Sequence, residues 1–201
     1  RPLPKTNDEG GVLMATGHVP EPMPFTKAHH LLNPLRSLIL SPKRLVSRLS
    51  LMPNSRVLEL GPGPGYFSPE VARAVPEGGL ILVDVQQEML DMAKERLDKS
   101  GIGNVEYRKG DATSLPVESE VIDVAFLVAV LGEVPDRDAC LREIHRVLRK
   151  SGLLSITEIK LGDPDFIAKN EMTRMGQSAG FRLSTRHDEF FHYTVNFVKE
   201  K

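Results

Sequence analysis

The 201-residue sequence lacks several features that mark particular classes of protein. Its single cysteine, Cys140, excludes an internal disulfide, a cysteine-based zinc cluster and a Cys-x-x-Cys redox pair. The longest uncharged apolar stretch, residues 124–132, is much shorter than the roughly 18 residues of a membrane-spanning helix. With 26 basic and 27 acidic side chains, no overall field attracts nucleic acid. We therefore expect a cytoplasmic protein that has no nucleic-acid partner.

The first part of the chain differs in composition from the remainder. Residues 1–23 contain four prolines and three glycines without a hydrophobic period, which predicts an irregular arm. Residues 22–58 contain six basic side chains and no acidic one. Helical spacing around Leu35 to Ile39, and again after Ser41-Pro42, predicts two short amphipathic helices there.

Three interpretations of this basic segment stay open. Residues 1–54 would form an arm and a lid over an acceptor site, residues 22–58 would contact a membrane surface peripherally, or the charges would simply cover a solvated helix face. Because the chain begins at Arg1 rather than at a methionine, a preceding leader or anchor also stays open.

From residue 55 onward, short apolar runs alternate with amphipathic segments. Such alternation is typical of βαβ units and predicts a parallel sheet with helices on both faces. The predicted strands are residues 56–60, 80–85, 105–108, 121–128 and 153–158, and the helices between them are residues 68–75, 88–99 and 136–150.

The end of the chain breaks this alternation. After a predicted helix at residues 165–179, strands at 181–185 and 190–198 are joined by the short link 186–189. A parallel crossover needs a dozen or more residues, so the last strand should run antiparallel to its neighbour. We expect residues 55–201 to form one α/β domain with a seven-stranded, mostly parallel sheet whose last strand is antiparallel.

A glycine-rich turn joins the first predicted strand to the next helix. Residues 59–65 read Glu-Leu-Gly-Pro-Gly-Pro-Gly, and alternate glycines let the main chain approach a ligand closely. The carboxyl end of the first strand is where α/β sheets bind nucleotides. An ordinary glycine and proline turn is the alternative.

Acidic residues follow the next two predicted strands. Asp84 ends the second strand, where a carboxylate can accept hydrogen bonds from both hydroxyls of a ribose. A solvated acid at the end of a strand is the plain alternative. Asp111 follows the third strand and would lie on the same rim. Together with the loop, these acids predict a nucleoside-binding crevice.

The loop motif separates two families of nucleotide-binding proteins. A dinucleotide fingerprint would have its third glycine at the position of Tyr66. The motif present, Glu-x-Gly-x-Gly-x-Gly, resembles that of the class I S-adenosylmethionine-dependent methyltransferases. The resemblance extends by motif order over residues 56–198, includes residues 143–152, and looks most similar to the quinone-biosynthesis type. It implies a Rossmann-like fold and S-adenosylmethionine as cofactor.

The resemblance also implies which residues contact that cofactor. Glu59 and the loop would lie beside its methionine part, Asp84 would hold the ribose, and Asp111 with the main chain of Ala112 would read the adenine edge. Tyr66 would wall the site or pack beneath the loop. The complete implied set is Glu59, Gly61, Pro62, Gly63, Gly65, Tyr66, Asp84, Val85, Met89, Asp111, Ala112 and Leu127, with Val85 and Met89 against the adenine and Leu127 completing the pocket.

No residue stands out as the base for methyl transfer, because an in-line displacement mainly requires alignment of the two reactants. All of the acceptor-site candidates except Glu158 have a plain alternative: an exposed histidine pair, a cap for the helix near Asp136, or a solvent-facing stripe shared with Thr194 and Asn196. The candidates are His29, His30, Glu133, Glu158 and His192.

Several acceptor classes are disfavoured. Residues 127–133 lack the Asn/Asp-Pro-Pro-aromatic motif of nucleic-acid amine methylation, and Cys140, read as core packing, cannot serve cytosine-carbon or arsenic methylation. We expect methyl transfer to a small, apolar, lipid-like acceptor at oxygen or carbon, without a metal. A nicotinamide-dependent oxidoreductase, which Tyr66 argues against, and a cofactor-binding module without chemistry stay open, as does the oligomeric state.

Overall fold

The computed structural model describes residues 24–27, 40–160 and 165–200. Within these ranges the strands are β1 (Arg56–Leu60), β2 (Gly79–Asp84), β3 (Val105–Lys109), β4 (Ile122–Val128), β5 (Leu148–Ile159), β6 (Phe181–Asp188) and β7 (His192–Lys199). The α-helices are α1 (Pro42–Arg48), α2 (Ser68–Ala74), α3 (Gln87–Lys99), α4 (Arg137–Val147) and α5 (Lys169–Ser178), and short 3₁₀ turns occur at Phe25–Lys27 and Leu131–Glu133.

The strands form a single seven-stranded sheet in the order β3-β2-β1-β4-β5-β7-β6. Strands β1 to β5 pair in parallel, whereas β7 pairs antiparallel with both β5 and β6. This arrangement confirms the predicted fold, including its reversed last strand. The chain order changes direction between β1 and β4, and such a switch point opens a crevice at the carboxyl ends of the strands.

Helices cover both faces of the sheet, and each face has its own hydrophobic core. On one face, α1, α2 and α3 pack over the side chains of Val57, Leu82 and Phe126. On the other face, α4 and α5 pack over a set that includes Leu58 and Ile156. Alternate strand residues point to opposite faces, so nearly every residue of β1, β2 and β4 is buried. In the described part of the chain, no helix has the length and apolar character needed to span a bilayer.

Some predicted boundaries are wrong. Helix α4 ends at Val147 rather than near residue 150, because Leu148 is extended and pairs with Ile122 at the start of a long β5. Helix α5 begins at Lys169, and β6 continues to Asp188, so the turn before β7 is residues 189–191.

Helix α1 is the described part of the basic segment. Ser41 caps it by accepting a hydrogen bond from the Arg44 main-chain nitrogen at 3.2 Å, and Leu45 is buried in the core. The other predicted helix, around Leu35 to Ile39, lies outside the described residues. The division at residue 54 and the lid therefore stay predictions.

The polar stripe on β7 faces the protein interior, so its predicted exposure to solvent is wrong. His192 is only 1% exposed, and Thr194 and Asn196 are also buried. The reason is Arg48, at the end of α1, which covers this stripe. Its Nη1 donates to Thr194 Oγ1 at 2.8 Å and lies 3.2 Å from His192 Nε2, and its Nη2 donates to Glu189 Oε1 at 2.9 Å.

The contact with Arg48 also determines the protonation of His192. A guanidinium only donates hydrogen bonds, so His192 Nε2 accepts and the ring proton is on Nδ1. Burial, together with the positive charge of Arg48, lowers the pKa of His192 below its ordinary value. The ring is therefore a neutral structural partner of Arg48.

Arg48→Ala should destabilise the fold, because it removes three contacts of a buried guanidinium and leaves polar groups of β7 without their donor. We expect the free energy of unfolding to fall by about 3 kcal/mol in urea titrations. Arg44→Ala, which removes an exposed side chain 3.5 Å from Glu189, should change it by about 0.5 kcal/mol or less. Equal effects of the two substitutions would contradict the structural role of Arg48.

Candidate functional site

The glycine-rich loop leaves β1 at the carboxyl edge of the sheet. Gly61, Gly63 and Gly65 have φ angles of 66°, 53° and 73°, in the left-handed region that favours glycine. The main-chain nitrogen of Gly61 donates to Val83 O at 2.8 Å, and that of Gly65 donates to Pro62 O at 3.1 Å. These bonds hold the loop main chain between the ends of β1 and β2.

Neighbouring side chains approach two glycines of this loop closely. A Cβ atom at Gly61 would lie 2.5 Å from Val130 Cγ2, and one at Gly65 would lie 3.0 Å from Ala93 Cβ. The loop is thus held between the segment after β4 and helix α3. The sequence motif identified the loop but not Val130, which no local pattern distinguishes from other apolar residues.

Asp84 ends β2 directly beside this loop and is only 7% exposed. Its Oδ2 accepts a hydrogen bond from Gly63 N at 3.3 Å, and its Oδ1 accepts one from Gln86 N at 3.0 Å. Burial raises the pKa of Asp84, and these main-chain bonds counteract part of that effect. Each carboxylate oxygen has further lone-pair capacity, which suits a pair of hydroxyl donors.

Glu59 is a second buried acid, on the β1 side of the loop. Its Oε2 accepts a hydrogen bond from Ser68 Oγ at 2.7 Å, at the start of α2. Burial raises the pKa of Glu59 to about 8, with a smaller contribution in the same direction from Asp84. Glu59 is therefore largely protonated at neutral pH, and a positive charge placed beside it would favour its ionised form.

Apolar side chains form the rim beyond Asp84. Val85 and Phe25 are exposed, and Phe25 N donates to Gln86 Oε1 at 3.1 Å, which brings the described piece of the N-terminal segment to the end of β2. Met89 is buried. Sequence reasoning missed Phe25 and Gln86, because only the folded chain brings residues 61 positions apart together.

Asp111 lies on the same edge after β3. Its Oδ1 accepts hydrogen bonds from both Thr113 N and Thr113 Oγ1 at 2.7 Å, and these bonds lower its pKa. Gly110 N donates to Asp84 O at 3.0 Å, so the segments carrying the two acids are directly joined. The neighbouring Ala112 is half-buried against the core.

The end of β4 can border the crevice mainly through its main chain. The Leu127 side chain is buried in the core on the α4 and α5 face, so the crevice can receive only its main chain. Ala129 follows with a φ of 53°, which is strained for a residue with a side chain, and its nitrogen donates to Thr157 O at 2.8 Å. Tyr66, by contrast, is half-buried and packs edge-on against Phe67.

The acceptor-site candidates are dispersed. His29 and His30 lie outside the described residues. Glu133 is half-buried in the turn after β4, and its alternative role as a helix cap is wrong, because Asp136 caps α4 by accepting from Ala139 N at 2.8 Å. Glu158 is buried and accepts from Ile167 N.

The described residues contain neither a cluster of metal ligands nor an exposed cysteine. No group of three or more His, Cys, Asp or Glu side chains there is arranged to hold a metal ion. Cys140 is fully buried, as predicted, and burial raises the pKa of its thiol to about 12, so it is not a nucleophile.

Comparisons with known proteins agree with this geometry. Residues 51–190 match the family model described as "Methyltransferase domain". The chain is 38% identical over 108 residues to the ubiquinone/menaquinone biosynthesis C-methyltransferase UbiE of Vibrio vulnificus, covering 53% of this chain and 42% of that protein. It is 34% identical over 167 residues to UbiE of Teredinibacter turnerae, covering 78% and 65%. The chain thus spans between two fifths and two thirds of these relatives.

A solved structure shows the same fold. It is a SAM-dependent methyltransferase from Aquifex aeolicus, with a TM-score of 0.83 and 24% identity, and the match covers 88% of this chain and 99% of that one.

Glu59→Gln should stabilise the protein in a pH-dependent way. Between pH 5 and pH 8 the folded chain keeps a proton on Glu59 that the unfolded chain releases, so the free energy of unfolding falls as pH rises. Glutamine can still accept from Ser68 but does not ionise. We expect urea titrations to show a stabilisation of up to about 4 kcal/mol at pH 8 and little at pH 5.

Glu88→Gln, at an exposed position on α3, is the matched control and should change the free energy of unfolding by about 0.5 kcal/mol or less. A stabilisation by Glu59→Gln that is the same at pH 5 and pH 8 would show that Glu59 is ionised in the folded chain.

Proposed function

The chain belongs to the class I S-adenosylmethionine-dependent methyltransferases, and on this premise we propose that it transfers a methyl group to a small apolar acceptor at oxygen or carbon. The observation that carries the proposal is the crevice at the carboxyl edge, where the glycine loop, Glu59 and Asp84 meet beside an exposed apolar rim. S-adenosylmethionine is the cofactor, and the product is S-adenosylhomocysteine.

The residues of the crevice suit this cofactor chemically. We assign the ribose hydroxyls to the Asp84 carboxylate, the adenine to Val85 and the Asp111 segment, and the methionine part to Glu59 and the loop main chain. When bound, the cofactor supplies an electrophilic methyl group on a sulfonium sulfur. A cationic group beside Glu59 would lower the pKa of this acid and turn it into a charged partner.

The proposed acceptor resembles a quinone precursor. Support comes from the identity to quinone-biosynthesis C-methyltransferases and from the apolar Val85 and Phe25 at the crevice. Catalysis would depend on alignment of the acceptor and exclusion of water. His192 has no lone pair available for a proton, because Nε2 accepts from Arg48, so His29, His30, Glu133 and Glu158 are the remaining base candidates.

The N-terminal segment belongs to the same proposal. Residues 1–54 would cover the acceptor, and the exposed basic residues between 22 and 58, Lys43 and Arg44 among the described ones, would bring the protein to a membrane surface where a lipid-like acceptor dissolves. Support comes from the contact of Phe25 with Gln86, beside the assigned adenine position.

Methyl transfer from radiolabelled S-adenosylmethionine tests the proposed function directly. The full chain would be incubated with quinols, phenols, fatty acids and lipid extracts, and both the labelled product and S-adenosylhomocysteine would be measured. Transfer only to polar acceptors would contradict the proposed substrate class. Cofactor binding without transfer to any acceptor would favour the module without chemistry.

Asp84→Asn should weaken S-adenosylmethionine binding by about 1.5–3 kcal/mol, because one charged acceptor of the ribose hydroxyls is lost. Isothermal calorimetry measures this change, and circular dichroism checks the fold. Asp98→Asn, which removes an exposed acid of α3 paired with Lys94 at 2.6 Å, should leave the affinity unchanged. Unchanged affinity in a folded Asp84→Asn variant would contradict the ribose assignment.

Deletion of residues 1–39 should separate acceptor access from cofactor binding. Leu40 and α1, which pack on the core, remain in the shortened chain. We expect the cofactor affinity to stay within a few-fold, whereas transfer to any acceptor found in the screen should fall severely. Full transfer activity without these residues would contradict the lid.

A further inference from the structure

The turn between β6 and β7 carries two exposed aromatic side chains in sequence. Phe190 is 85% exposed and Phe191 is 40% exposed, and their rings meet edge-on with centroids 4.7 Å apart. The turn is firmly held, because Glu189 N donates to His192 O at 2.9 Å and Lys160 N donates to Phe191 O at 2.8 Å. Single exposed apolar side chains are common on protein surfaces, whereas two adjacent exposed phenyl rings at a hairpin tip form a contiguous apolar patch, which is typical of an interaction surface.

This tip lies at the same edge of the sheet as the crevice. β7 begins at His192, opposite Ile159 near the carboxyl end of β5, and β5 is parallel to β4 and β1. Most exposed large hydrophobic side chains of the described residues share this edge, and the exception, Met52, precedes β1 at the opposite edge. The set is Phe25, Met52, Val85, Phe190 and Phe191.

The surroundings of the tip are basic. Its two carboxylates are already paired, since Glu189 contacts Arg48 and Arg44, and Asp188 lies 2.7 Å from Lys169. The hydrogen bond from Lys169 lowers the pKa of Asp188, and two further exposed cations, Lys160 and Arg186, lie close enough to lower it further.

We propose that the Phe190-Phe191 turn docks the protein on an anionic lipid bilayer. A protruding pair of phenyl rings can enter the interfacial zone of a bilayer, while the surrounding cations approach its anionic headgroups. This combination distinguishes a lipid surface from a groove on another protein, which would have to enclose a convex tip. The docking is inferred from the turn itself, and its use for receiving an apolar acceptor at the crevice rests on the proposed function.

The absence of tryptophan from the chain permits a site-specific fluorescence test. Phe190→Trp in the full chain introduces a single reporter at the tip. Its emission should shift to the blue with vesicles of phosphatidylcholine and phosphatidylglycerol, and brominated phosphatidylcholine in those vesicles should quench it. Pure phosphatidylcholine vesicles should produce a much smaller shift.

Met52→Trp is the matched control, since Met52 is 62% exposed at the opposite edge of the sheet. Its emission should not change with the same vesicles. In sedimentation with anionic vesicles, replacement of both Phe190 and Phe191 by serine should reduce binding at least tenfold. The affinity for S-adenosylmethionine should stay within twofold, because β4 and β5 lie between this hairpin and the strands β1 and β2 that carry the loop and Asp84.

Three results would overturn the docking proposal. The first is an emission of Phe190→Trp that does not shift with anionic vesicles, and the second is an equal emission shift in Phe190→Trp and Met52→Trp. The third is an emission shift that depends on protein concentration without vesicles, which would identify a second copy of the chain as the partner. Failure of the unmodified chain to bind S-adenosylmethionine would instead remove the proposed function and leave the vesicle result intact.

Discussion

The hydrogen bond from Gly63 N to Asp84 Oδ2 joins the two strand ends on which the crevice depends. It connects the loop after β1 to the end of β2, and Gly110 N continues the chain of contacts by donating to Asp84 O from the end of β3. Three strand ends are thus held in one arrangement by the main chain and one carboxylate. Because Asp84 is buried, this link is little screened by solvent.

The same site carries an electrostatic penalty. Glu59 and Asp84 are both buried, and the loss of solvation raises the pKa of each. The charge of Asp84 raises the pKa of Glu59 further. A folded chain selected only for stability would have little reason to keep a protonated glutamate with one hydroxyl partner in its core. The penalty is understandable if a bound cation relieves it, since the pKa of Glu59 would then fall.

Local motifs in the sequence predicted which residues meet around the glycine loop, but not the arrangement around β7. Glu59, the glycines and Asp84 lie within 26 residues of one another along β1, the loop and β2, so the chain itself shows their relation. The environment of His192 could not be predicted in this way, because Arg48 approaches it from a position 144 residues earlier. Strand alternation alone assigned the stripe of β7 to solvent, whereas α1 covers it. Leu127 lies near the end of β4, as strand order predicted, but its side chain points into the core on the α4 and α5 face, and its contact with the cofactor stays a prediction.

The two halves of the sheet are therefore held together by different kinds of contact. Around β1, β2 and β3 the crevice is organised by short-range contacts of the main chain, which any change of backbone conformation at Gly61 or Gly63 would disturb. Around β5 and β7 the structure is organised by Arg48, which ties α1 to the last strand through Thr194 and to the turn before it through Glu189. Substitutions near β7 can thus alter the surface beside the crevice without moving the Asp84 carboxylate. The crevice and the polar stripe of β7 thus share one sheet but depend on separate contacts, the Gly63 to Asp84 hydrogen bond in the first and the Arg48 side chain in the second.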